Sequence, residues 1–314
     1  MAMNKVSIPV IILSIALFTA SAMAQKLPNM QESSLRAPAN IKVDGKPTEW
    51  NNQFQAYNKA TEIFYTISND NDKLYLSVKA KDLDIINKII CGGITLTING
   101  SGKTKDKDGM SITYPALNKN SFRRAVLPVD FDSPFIGVRG TSISTKQADS
   151  LTDIINKRLI SKATDIAIAG IKGITDTISI YNPENIKASA LFDNEKNLTY
   201  ELAVPLKSLG LSVTDSKPLV YNIKLNGFNP DTGSEASMSM AVAIQRAELR
   251  ANLRAIFQFG LTLRPGVRLI DPNLVFKEYP MKDGIYILAD KSAPRVVQMI
   301  SPTDFWGEYN LAKK

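Results

Sequence analysis

The sequence predicts a mainly β protein built as an antiparallel β-sandwich, with a few short connecting helices and a helical or irregular insertion. Three observations carry this. Short segments of alternating apolar and polar residues recur along the chain, as in 74–80, 94–99, 198–204 and 219–225. Clusters of Asn, Asp and Gly separate them, which is turn chemistry. No strand–helix–strand rhythm of the kind that builds a parallel sheet is present.

The chain opens on a pattern of export. Lys5 supplies a positive start, an apolar run follows over 6–18, and Ala22-Met23-Ala24 forms an A-x-A cleavage site. Residues 1–24 therefore read as a signal peptide with Gln25 first in the mature chain, which is expected in the periplasm or outside the cell. The run is shorter than the ~20 residues a membrane helix needs, and the mature chain is not expected to span a membrane. Residues 25–39, polar and carrying Pro28 and Pro38, read as a flexible leader. Residues 40–314 read as a single domain.

In that domain, 41–43 reads as a short strand ending at the Asp44-Gly45 turn. Residues 62–68 and 74–80 form a hairpin around the polar turn 69–72. Asp82 is placed to cap a short helix carrying Leu83, Ile86 and Ile90, stopped by Gly92-Gly93. Strands follow at 94–98 and 110–114, on either side of a lysine-rich loop. Residues 116–150 lack clear periodicity. Leu151, Ile154, Ile155, Leu159 and Ile160 trace a helical face over 151–162. Strand patterns return at 166–171 and 177–181. A second hairpin spans 186–204 around the turn 193–197, closed by Pro205 at a strand end. One more strand covers 219–225.

The stretch 231–300 reads as an insertion or appendage. It holds a possible helix over 237–257 with Arg246, Arg250 and Arg254 on one basic face, and a short strand at 286–288. The chain closes at 304–311 with a strand docked into a sheet. Phe305, Tyr309 and Leu311 share its inner face by alternation, and Trp306 points the other way.

Composition excludes several chemistries. The sequence has no histidine and one cysteine, so a Ser-His-Asp triad, a His-bearing zinc site and His-ligated haem cannot be built. No disulfide can form within the chain, and Cys91 reads as a small core residue. Lys and Arg total 38 against 30 Asp and Glu, but the charges are dispersed and no nucleic-acid motif is present. The turns 70–72 and 106–109 hold oxygen ligands of the kind calcium takes. Neither matches an EF-hand, and turn chemistry accounts for both. Gly100-Ser101-Gly102-Lys103-Thr104 lacks the spacing of a phosphate loop. No catalytic, cofactor-binding or metal-binding residue is assigned, and no cofactor is expected. A glycosidase built on two facing carboxylates passes these exclusions but has no visible sequence signature.

Four segments in order resemble the family-nine carbohydrate-binding modules. They are Ile41-Lys42-Val43-Asp44-Gly45-Lys46 with Glu49-Trp50; Leu74-Tyr75-Leu76-Ser77-Val78 leading to Lys81-Asp82; Tyr200-Glu201-Leu202-Ala203-Val204-Pro205-Leu206 with Leu209-Gly210; and Phe305-Trp306-Gly307-Glu308-Tyr309. The resemblance implies a sandwich and a polysaccharide or oligosaccharide partner gripped by indole faces and polar side chains. Trp50 and Trp306 both lie in fold-marking segments and read as core, so no ligand-binding residue is named. The expected function is a non-catalytic carbohydrate-binding or surface-associated module. The alternative is an envelope interaction protein that has the sandwich without a sugar site.

Overall fold

A computed structural model describes residues 27–99, 109–116, 145–227, 276–281, 284–289 and 301–313. The fold is mainly β, with two antiparallel sheets and two helices. The strands are β1 (Ala56–Asn58), β2 (Ile63–Asn69), β3 (Lys73–Ala80), β4 (Ile94–Asn99), β5 (Met110–Tyr114), β6 (Asp165–Ala169), β7 (Thr177–Ser179), β8 (Lys187–Phe192), β9 (Leu198–Pro205), β10 (Leu219–Leu225), β11 (Phe276–Met281), β12 (Gly284–Ala289) and β13 (Thr303–Tyr309). The five-stranded sheet runs β1-β2-β3-β9-β8 and the six-stranded sheet β13-β10-β4-β5-β6-β7. Strands β11 and β12 form a separate hairpin.

Alternation decides which side chains meet between the sheets. Ile63, Tyr65 and Ile67 of β2, Leu74, Leu76 and Val78 of β3, and Tyr200 and Leu202 of β9 enter a core shared with Ile94 and Leu96 of β4 and Tyr221 and Ile223 of β10. Rings cross the interface: Tyr65 lies 5.0 Å from Phe305, and Tyr114 lies 5.9 Å from Tyr200. Tyr65 and Tyr221 also join hydroxyls at 3.1 Å, which satisfies two polar groups that would otherwise be costly in the core. Gly307 of β13 makes room for this pair, because a Cβ there would collide with the Tyr221 ring end and with Met30.

Both predicted hairpins form, and side chains fix their turns. Asp70 Oδ1 accepts from the Asp72 and Lys73 amides, both at 2.7 Å, while Oδ2 accepts from the Tyr75 hydroxyl at 2.6 Å. The 70–72 turn is thereby explained by its own donors, which outweigh the effect of burial and hold the Asp70 carboxyl below its usual range. Asp193 accepts from the Asn197 amide at 2.8 Å and meets Lys79 at 2.8 Å, tying one hairpin to the other.

Helix α1 (Leu83–Gly92) starts where the sequence predicts, with the Asp82 side chain accepting from the amides of Asp84 and Ile85. It ends at Gly93, whose φ of 75° suits glycine. Helix α2 (Thr145–Lys162) contains the predicted face over 151–162 and buries Ile155 and Leu159, but leaves Ile154 and Ile160 exposed. The predicted strand at 286–288 lies within β12. No described helix is long and apolar enough to cross a membrane. The signal peptide, the 106–108 acidic residues, the 237–257 helix with its arginines, and the Cys91 side chain lie outside the described residues.

Two expectations are corrected. Residues 27–39 are not a loose leader. The Gln31 side chain donates to Ile67 O and accepts from Ile67 N, at 2.8 and 2.7 Å, where β2 extends beyond β1 and needs a partner. Further along, the Tyr309 hydroxyl donates to Leu35 O and accepts from Leu35 N. Polar side chains and backbone bonds, rather than apolar periodicity, hold this segment in place.

Residues 41–43 are not a strand. They lead into a 3₁₀ turn (Pro47–Trp50), and residues 41–54 form a strap across the outer face of the five-stranded sheet. The strap's contacts show the placement. A Cβ on Gly45 would meet Ser189 and Leu191, which point away from the core, and the Asp44 and Gly45 amides donate to Glu201, which does the same.

Candidate functional site

The outer faces of the two sheets differ in cover. On the five-stranded sheet the outward residues Thr66, Ser68, Ser77, Thr199 and Glu201 are buried, and Phe64, Lys79, Ser189 and Leu191 towards its sides are partly accessible. On the six-stranded sheet Thr95, Thr97, Ser111, Thr113, Asp304, Trp306 and Glu308 stay partly or fully accessible, while Asn99 of β4 and Val220 and Asn222 of β10 are buried. This second face is the candidate site.

The register across the sheet builds it. Trp306 stands opposite Asn222, Asn222 opposite Thr97, and Thr97 opposite Ser111. A second row runs Asp304, Lys224, Thr95, Thr113. Glu308 flanks Trp306 on the far side, opposite Val220. Directly paired side chains in antiparallel strands stand about 4.5–5.5 Å apart at Cβ, so the Asn222 amide adjoins Trp306, with Lys224 on the diagonal, Asp304 and Glu308 two residues away along its own strand, and the Thr97 hydroxyl one strand further.

Four hydrogen bonds set these groups. Asn222 Nδ2 donates to Asp304 Oδ2 at 2.7 Å and to Phe305 O at 3.0 Å. That fixes the amide plane beside the indole and leaves Asn222 Oδ1 free of the pair. Thr95 and Thr113 share a hydroxyl bond of 2.6 Å, and Asn226 Nδ2 donates to Thr95 Oγ1 at 2.8 Å. The result is a polar surface with one half-buried indole set in it. Such a surface can stack an apolar ring face and hydrogen-bond the hydroxyls around its edge.

The two tryptophans part company here. Trp50 is buried at 8% exposure, as expected, but under the strap rather than between the sheets. Trp306 was expected in the core and is instead half-buried on the outer face, since its strand neighbours Phe305 and Tyr309 take the inner positions. Alternation had already placed it opposite them. Asn222 and Lys224 went unnoticed because their link to Trp306 is cross-strand register between segments about 80 residues apart.

Among the described residues no group of three or more Asp, Glu or Cys side chains gathers in a way that suits a metal. The fold and this face define a mainly β protein of two antiparallel sheets with one open polar face. In comparisons with known proteins, no family model, no curated protein and no solved structure matches the chain.

Proposed function

We propose that this chain is an exported, non-catalytic carbohydrate-binding module, similar to the family-nine modules, and that the outer face of the six-stranded sheet is its glycan surface. The observation that carries this reading is Trp306, held at an accessible position in a row with Asn222 and Thr97 and flanked by Lys224, Asp304 and Glu308. An indole offers its face to the C–H side of a pyranose. The neighbouring hydroxyl, ammonium and carboxylate groups supply donors and acceptors for sugar hydroxyls, and the buried Asn222 amide holds Asp304 beside the ring. Nothing in this arrangement calls for bond breaking, and the ligand is expected to be released unchanged.

A glycan array with the chain from residue 25, followed by calorimetry on any hit, tests the proposal. Binding that is lost in Trp306→Ala, with the ligand recovered intact, is the expected result. Absence of binding across polysaccharide classes favours the envelope interaction protein instead.

A further inference from the structure

We propose that residues 41–54 are a latch over the outer face of the five-stranded sheet, bolted shut by Glu201 and released when that carboxyl ionises. This device lies on the opposite sheet from the glycan surface and does not depend on it. Glu201 belongs to β9, between β3 and β8, and is 3% exposed. Its Oε2 accepts from the Asp44 amide at 3.0 Å and from the Gly45 amide at 2.9 Å. A second bolt comes from Thr199, whose hydroxyl donates to Gly45 O at 2.6 Å. Gly45 has a φ of 84°, so the tip of the strap adopts a shape suited to glycine. Two neighbouring β9 residues thus grip one turn of the strap.

The charges around Glu201 oppose its ionisation. Strap residues Asp44 and Glu49 act on it as like charges. From β3, Ser77 stands opposite, flanked by Tyr75 and Lys79. The Tyr75 hydroxyl is committed to Asp70, and Lys79 to Asp193 at 2.8 Å. From β8, Ser189 stands opposite, flanked by Lys187 and Leu191. The strap's own cations are Lys42 and Lys46. Among the described residues none of these ammonium groups forms an ion pair with Glu201. A buried carboxyl facing two acids and lacking a paired cation favours its neutral form. Burial, the larger cause, pushes the group up to about 8, against the pull of the two amide donors.

Closing the strap therefore takes up a proton. An opened strap hydrates Glu201 and returns it to its ordinary value of 4.5. Between that pH and about 8 the opening constant rises tenfold per pH unit, and above it stays level. Opening uncovers Trp50, Phe54 and the row Thr66, Ser77 and Glu201, which are otherwise sealed, and exposes Ser189 further.

Amide hydrogen exchange of Asp44 and Gly45, corrected for intrinsic rates, reads the latch directly. In the wild-type chain the corrected opening constant is expected to rise tenfold per pH unit from pH 5 to 7. In Glu201→Gln, which keeps an acceptor oxygen but cannot ionise, it is expected to stay flat. The carboxyl carbon shift of Glu201 in the wild-type chain gives a second readout that does not need the variant to fold, with a midpoint above pH 7 expected. A midpoint near 4.5, or a pH-independent opening constant in the wild-type chain, overturns the proposal. So does the same slope in wild type and Glu201→Gln.

Discussion

The two outer faces of this sandwich began with similar material and reached opposite ends. Each sheet carries a polar row on its outer side: Thr66, Ser77, Glu201 and Ser189 on one, and Trp306, Asn222, Thr97 and Ser111 on the other. On the five-stranded sheet the strap covers the row and a carboxyl takes up backbone donors. On the six-stranded sheet Trp306, Thr97 and Ser111 stay partly accessible, although Asn222 between them is buried, and an indole stands in the row. A polar outer strand face is thus not a functional signal by itself. What distinguishes the two is whether another part of the chain spends its hydrogen bonds there.

Breaking the sandwich itself has the largest expected effect. Removing residues 303–314 deletes β13, takes Phe305 and Tyr309 from the core, and strips Asn69 of the Ala312 backbone that it pairs through both its oxygen and its nitrogen. Loss of the cooperative thermal transition is expected. Removing residues 27–38 is also expected to lower the melting temperature clearly, because Gln31 and Leu35 serve β2 and Tyr309.

On the covered face, Trp50→Ala is expected to cost about 3–5 kcal/mol, the range for truncating a buried aromatic, read by denaturant unfolding. Trp306→Ala is expected to change stability by only about 1 kcal/mol or less while abolishing glycan binding, because its ring is only half-buried. Equal destabilisation by both would erase the contrast between the faces.

Gly307→Ala sharpens the comparison from inside. The new methyl meets Tyr221 and Met30, so a loss of about 1–3 kcal/mol from overpacking is expected. Tyr309→Phe removes a hydroxyl that shares its one proton between Leu35 O and Asn69 Oδ1 and accepts from Leu35 N. About 1–3 kcal/mol is expected from the groups left unpaired, read as a shift in the urea midpoint.

A further contrast is one of pH. Glu201 has its folded value raised to about 8, so the folded state holds a proton that the unfolded state releases near 4.5. Its contribution to stability is present below about pH 4.5 and is lost as pH rises towards 8. Comparing wild type with Glu201→Gln by urea unfolding at several pH values isolates this slope.

Much of the sandwich was legible because alternation and turn residues are local. Leu74, Leu76 and Val78 announce a strand without help, and Asp82 announces a helix start. The strap and the leader were not legible, because their partners are remote. Ile41 and Val43 look like strand residues, yet the chain beyond them is pinned by Glu201, more than 150 positions away. Gln31 reads as an ordinary polar residue until Ile67 is set beside it. The same cause hid Asn222. Its position in an alternating strand was plain, but only register placed it against Trp306.

The contrast between the faces can be measured without knowing the ligand. Single-tryptophan forms, Trp306→Phe and Trp50→Phe, report on Trp50 and Trp306 respectively by acrylamide quenching of fluorescence. At pH 5, where Glu201 is neutral and the strap closed, the Trp306 reporter is expected to quench several-fold more strongly than the Trp50 reporter. Equal quenching, or stronger quenching of Trp50, would contradict the assignment of one sealed and one open face.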